Sequence, residues 1–233
     1  RFKEDQQSLI YAIQLSTDKW RRRITPSLQA SSAYQHITLF GGSYAFGDAV
    51  SDDQTLLAYF TQQHPNTVGY NIAFSGYGPN DVLTRILNYN ALADISPPRG
   101  VGIYLYADNH IKRSTNSMSV VTQWKPLSVT LQRTSEYSYE VLGNIQQAQP
   151  LYYSFIKTLS QSRLIQYFQI DWPLRLTSQH YDEMARTLKA IEREYKNKTT
   201  QDNPFIVVFY PEKWKATNKL WLKQSLDKHQ IYY

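Results

Sequence analysis

Cysteine is absent from all 233 residues. That excludes disulfide frameworks, thiolate metal sites, iron–sulfur clusters and a cysteine nucleophile. It leaves the redox compartment open, because a chain without cysteine suits cytosol and periplasm alike. Long apolar runs are missing too. None reaches the ~18 residues that a membrane span needs, so no transmembrane segment is expected. Nor does any His-x-x-x-His, His-Glu-x-x-His or clustered Asp/Glu spacing occur, so no metal site is expected. The glycines match neither the dinucleotide fingerprint nor a phosphate loop ending in Gly-Lys-Ser/Thr, so no cofactor is expected. Internal repeats, heptads and low-complexity tracts are also lacking.

The chain is well supplied with core-forming residues, 42% hydrophobic and 14% aromatic, which argues against disorder. Its formal net charge of +6 is mild and spread along the sequence. The only tight basic run, Arg21-Arg22-Arg23, reads as a solvated helix end ahead of a phosphate patch. Charge alone does not argue for a nucleic-acid partner. The length fits one α/β domain over 1–233 with a modest insertion. The sequence starts at Arg1 and stops in the apolar Ile231-Tyr232-Tyr233. Removal of an upstream part, and a domain continuing past Tyr233, are therefore expected.

Short apolar runs alternate with helical patterns, the signature of βαβ units. The first strand, Ile37 to Phe40, ends in Gly41-Gly42, and a helix carrying Leu56, Leu57, Tyr59 and Phe60 follows. The second, Val68 to Phe74, breaks at Ser75-Gly76-Tyr77-Gly78-Pro79 and leads into a helix with Val82, Leu83, Ile86 and Leu87 on one face. The third runs from Val101 to Tyr106. Alternation between Ser117 and Tyr139 suggests a β-hairpin inserted at about 115–145. Helical spacing returns over Leu151–Phe168 and Tyr181–Tyr195. Phe205 to Tyr210 is the fourth strand, a helix covers Thr217–Lys228, and a fifth strand begins as the chain stops. The expected fold is a three-layer α/β/α sandwich on a five-stranded, mostly parallel sheet of flavodoxin-like order. In such sheets, sites form beyond the carboxyl ends of the strands.

Three loops lie there. Gly41-Gly42-Ser43 is either a turn that exposes a nucleophilic serine or a plain turn with Ser43 as a helix cap. Gly76 can offer a bare backbone N–H to an oxyanion or simply make a turn. Asn109, in Tyr106-Ala107-Asp108-Asn109-His110, can donate a side-chain amide hydrogen or cap a helix.

In that order, at those strand ends, the loops resemble the SGNH (GDSL-type) hydrolases. The match is specific in Leu39-Phe40-Gly41-Gly42-Ser43-Tyr44-Ala45-Phe46-Gly47-Asp48 and in Asn71-Ile72-Ala73-Phe74-Ser75-Gly76-Tyr77-Gly78-Pro79, where it looks like a bacterial branch. The resemblance implies an α/β hydrolase acting on a small-molecule, glycan or lipid ester, exported to the periplasm or held at the membrane as an anchored domain. It also implies Ser43 as nucleophile, with an oxyanion hole from the N–H groups of Ser43 and Gly76 and the side chain of Asn109. Three positions depart from the family pattern. Gly42 replaces the aspartate of the first motif, and Ala107 and His110 replace the glycine and aspartate of the third. The family's Asp-x-x-His follows the fifth strand and has no counterpart up to Tyr233.

Serine needs a neutral imidazole to take its proton. His36 and His64 lie at the opposite sheet edge. His229 follows Asp227 but opens the fifth strand, roughly 16 Å from the site edge at ~3.3 Å per residue. His180 starts the helix before strand four, as a surface residue. His110 ends strand three at the correct edge, where it either contacts Ser43 as the base or hydrogen-bonds a loop. The expected activity is ester hydrolysis or acyl transfer. The alternative is a non-catalytic domain of the same fold that binds carbohydrate or protein.

Overall fold

The computed structural model of the chain describes residues 13–26, 33–124, 128–211 and 215–233. Strands β1 (Gln35–Gly41), β2 (Thr67–Asn71), β3 (Gly100–Tyr106) and β6 (Phe205–Phe209) form one parallel sheet in the order β2-β1-β3-β6. Strands β4 (Val129–Arg133) and β5 (Tyr139–Asn144) pair antiparallel as a separate hairpin. The helices are α1 (Ser43–Phe46), α2 (Leu56–Gln63), α3 (Pro79–Tyr89), α4 (His110–Ser114), α5 (Ile145–Ala148), α6 (Pro150–Ser160), α7 (Arg163–Tyr167), α8 (Ser178–Lys198) and α9 (Ala216–Lys228).

Period-two alternation sends the two sides of the sheet into different cores. Ile37 and Leu39 of β1 pack with Ala45, Phe46 and Leu57 from α1 and α2. Phe40, Tyr104, Tyr106, Phe205 and Val207 face the other way, against α3, α8 and α9. Helix α8 supplies Tyr181, Met184, Ala185, Leu188, Ile191 and Tyr195, spaced three and four residues apart along one buried face. Its first turn is fixed by Thr177 and His180, whose Nδ1 lies 2.9 Å from Thr177 Oγ1 and accepts the Thr177 N–H at 3.1 Å.

Three expectations change. Among the described residues the sheet has four strands, not five. The incipient fifth is a single parallel bridge, Ile206 to Tyr232, in which the Val207 N–H donates to the Tyr232 carbonyl at 2.8 Å. The hairpin is present but belongs to a larger excursion with its own small core. Met118, Val121, Ile145 and Ile156 pack there with Tyr152, Leu159, Ile165 and Trp172. The stretch 125–127 of that insertion lies outside the described residues.

The basic run is neither a solvated helix end nor a phosphate patch, because Arg22 and Arg23 are buried. Arg22 is held by Asp18 at 2.7 Å and by the Ala93 carbonyl, also at 2.7 Å. The side chain of Arg23 is wholly enclosed. Its guanidinium donates to the carbonyls of Phe46, Gly47 and Val50 and pairs with Asp52 at 3.0 Å. It therefore satisfies the open carbonyls at the end of α1, the turn that begins with Ser43.

Candidate active site

The register of the sheet brings the three loops to one edge. Leu39 pairs with Asn71, and Gly41 pairs with Leu105. Ser43, two residues past Gly41, starts α1 at the edge where β2 and β3 also end, with strands ~4.8 Å apart. Gly76 lies five residues past the end of β2, and Asn109 three residues past the end of β3. The loops are also tied to one another. The Phe74 N–H donates to the Gly41 carbonyl at 3.3 Å, the Ser75 hydroxyl to Asp48 at 2.7 Å, and Arg113 Nη1 to the Tyr77 carbonyl at 2.6 Å. Buried Asn71 anchors α1 from beneath, donating from Nδ2 to the Ala45 carbonyl at 3.0 Å.

Ser43 is the first residue of α1 and is half-buried. Its hydroxyl and its N–H make no hydrogen bond among the described residues, and neither does the N–H of Gly76. Gly76 adopts φ +77°, the left-handed region that favours glycine, and nothing lies within 4 Å of where a Cβ would be. Asn109 precedes α4, is exposed, and its side chain caps nothing. Tyr44 stacks on Tyr210 at 3.9 Å and forms one wall beside the serine.

Gly42 marks the departure from the family motif, and packing explains it. A Cβ there would sit 2.8 Å from Arg113 Nη1, 2.8 Å from His110 Nε2 and 3.0 Å from the Tyr77 carbonyl. The volume an aspartate side chain would need is filled by Arg113 and His110. Gly42→Ala should therefore cost about 1–3 kcal/mol by overpacking, and adding Arg113→Ala should give part of that back. A double-mutant cycle in urea reads the coupling. Arg113 was not legible in advance, since the only sign is a basic residue one turn past the third loop.

His110 is 2% exposed and makes no hydrogen bond to Ser43. Its Nδ1 receives the Ala107 N–H at 3.4 Å and lies 3.2 Å from the Tyr104 hydroxyl. A backbone N–H can only donate, and burial pushes the Tyr104 phenol well up, so that group stays protonated and donates too. The neutral ring therefore carries its hydrogen on Nε2, the nitrogen facing Gly42. Burial, with a smaller contribution from the Arg113 charge, lowers the His110 pKa to about 3. Such an imidazole is a weak proton acceptor.

The other histidines are committed elsewhere. His36 lies 2.6 Å from the Pro97 carbonyl and 2.7 Å from the Tyr195 hydroxyl. His64 ends α2 against the ring of Phe60. His229 pairs with Asp182 at 2.9 Å rather than with Asp227, and its other nitrogen lies 3.2 Å from the Tyr137 hydroxyl.

These burials have a consequence in acid. His110, His36, His229 and His180 are all lowered, in each case first by desolvation. A histidine whose folded pKa lies below the unfolded ~6.5 stabilises the fold fully above that value and progressively less as pH falls toward the folded pKa. The urea midpoint should be level above about pH 7.5 and decline from about pH 6.5 toward pH 3. His110→Gln should flatten the decline. A midpoint unchanged between pH 7.5 and 4.5 would contradict the neutral, buried ring.

No family model matches this chain. No curated protein matches it either. Among solved structures the chain is similar to a mutant of the esterase AlinE4, with 12% sequence identity and a TM-score of 0.44, over 85% of this chain and 74% of that one.

Proposed function

We propose that the chain is an SGNH-type serine hydrolase acting on an acyl ester. Ser43 is its nucleophile, and the N–H groups of Ser43 and Gly76 with the side chain of Asn109 form the oxyanion hole. One observation carries this reading. Among the described residues, a serine hydroxyl with no partner stands at the carboxyl end of β1, with three hydrogen-bond donors that lack partners in the neighbouring loops. Half-buried or exposed, these donors are open to solvent and free to receive a charge that forms only during reaction. The Ser43 oxygen attacks the acyl carbonyl carbon, its proton passes to a base, and the carbonyl oxygen becomes the oxyanion that the donors receive. The alcohol then leaves with the proton, and water releases the acyl group by the same steps.

In this reading His110 is a positioning residue, with its Nε2–H against Gly42. The resemblance assigns the base to an Asp-x-x-His after the fifth strand. The test is fluorophosphonate labelling of the full-length protein, followed by intact mass and peptide mapping. The expected result is one adduct, on Ser43, that is lost in Ser43→Ala. A full-length protein that takes no adduct at Ser43 overturns the reading.

A second reading, a non-catalytic domain that binds carbohydrate or protein at this edge, is favoured by a different observation. No imidazole nitrogen among the described residues accepts a hydrogen bond from the Ser43 hydroxyl. Labelling separates the two.

A further inference from the structure

Away from Ser43, on the other side of α4, a cavity of about 470 Å³ opens between the hairpin, α3, α6 and α8. Helix α4 divides the two regions. Arg113 reaches the Tyr77 carbonyl in the second loop, and the next residue, Ser114, lines the cavity. The size falls within the ~300–1,000 Å³ of small-molecule sites.

The lining is selective in its chemistry. Among the described residues no lysine or arginine lines it. Its one carboxylate, Glu183, is already paired with Arg133 at 3.1 Å. Phosphates and carboxylates therefore find no counter-charge there. A purely aliphatic ligand fits no better, because the walls carry open polar groups. The Ser114 hydroxyl oxygen is buried without a partner among the described residues. The Gln179 amide, the Tyr152 hydroxyl and the Trp172 indole N–H make no hydrogen bond among them. Asn80 donates from Nδ2 to the Ser114 carbonyl at 3.0 Å, which leaves its Oδ1 free to accept. Phe155 packs edge-on against Trp172, with ring centres 5.6 Å apart, and so fixes the plane of the indole.

Mixed donors and acceptors around three aromatic rings, Tyr139, Tyr152 and Trp172, match a neutral polyhydroxylated ring, with hydroxyls at its rim and C–H groups on its faces. We propose that this cavity binds a neutral sugar unit and so seats the saccharide of an acylated glycan. The word acylated rests on the reading of Ser43. Sugar binding in the cavity does not.

The experiment is saturation-transfer NMR on Ser43→Ala protein, which cannot turn over an ester. The probes are glucose, mannose, galactose, N-acetylglucosamine and cellobiose. The expected result is saturable binding of at least one sugar in the millimolar range. It should weaken about fivefold or more in Gln179→Ala, an exposed position that does not threaten the fold, and disappear in Trp172→Leu. Circular dichroism checks that both variants are folded. No saturable binding by any probe, or equal binding in native and Gln179→Ala proteins, overturns the proposal. Labelling at Ser43 without sugar binding removes only the cavity assignment. Sugar binding without labelling leaves the cavity standing and removes the hydrolase reading.

Discussion

Arg23→Ala should lower the stability of the fold by about 3–5 kcal/mol, close to a thousandfold in the folding equilibrium. The guanidinium is fully enclosed, and its removal strands Asp52 together with the carbonyls of Phe46, Gly47 and Val50. Each orphaned buried acceptor costs about 1–3 kcal/mol before the surroundings relax. Arg23→Lys should recover only part of the loss, because an ammonium cannot reproduce a fork that spans several acceptors. Urea denaturation reads the effect as a shifted midpoint with an unchanged slope. The turn that carries Ser43 ends at these same carbonyls, so fluorophosphonate labelling of the surviving folded Arg23→Lys protein should also slow. A loss in Arg23→Ala below about 1 kcal/mol would mean that the buried clamp does not hold the turn.

Asn109→Ala should slow ester turnover about a hundredfold while leaving the fold intact. Loss of one oxyanion donor costs roughly 3 kcal/mol of transition-state stabilisation. The side chain is exposed and caps nothing, so its truncation should change stability by no more than about 0.5 kcal/mol. The loss should fall on kcat and kcat/KM alike, because the bond forms only as charge develops on the oxygen. A measurement with a p-nitrophenyl ester suffices. Undiminished kcat would remove Asn109 from the mechanism.

What could be read from the sequence follows the physics of each signal. β1, β3 and β6 were legible because buried parallel strands are short apolar runs with glycine or proline at their ends, as in Phe205 to Phe209 before Pro211. Helix α8 was legible because its apolar residues keep helical spacing over many turns. The loops that hold Ser43, Gly76 and Asn109 followed from strand ends, while the choice of those residues and their roles came from the resemblance. Partners distant in sequence were not legible. Arg23 was misread because basic runs usually sit in water, and nothing local shows that three carbonyls between residues 46 and 50 will surround it. His110 could be placed at the right edge, but its tautomer depends on the Ala107 N–H and the Tyr104 hydroxyl, which only the folded chain brings together. Of the expected fifth strand, one parallel bridge at Tyr232 is present.

Among the described residues, each outer strand of the parallel sheet carries one short contact on its outer side. On the β2 side, the Arg23 N–H donates to the Asn71 carbonyl at 3.2 Å in an antiparallel bridge. On the β6 side, Tyr232 takes the Val207 N–H. An open sheet whose margins offer long rows of unpaired amides invites a second molecule to add a strand. Here two short contacts interrupt those rows, so Arg23, which braces the turn that begins with Ser43, and Tyr232 also guard the sheet against edge-to-edge self-association.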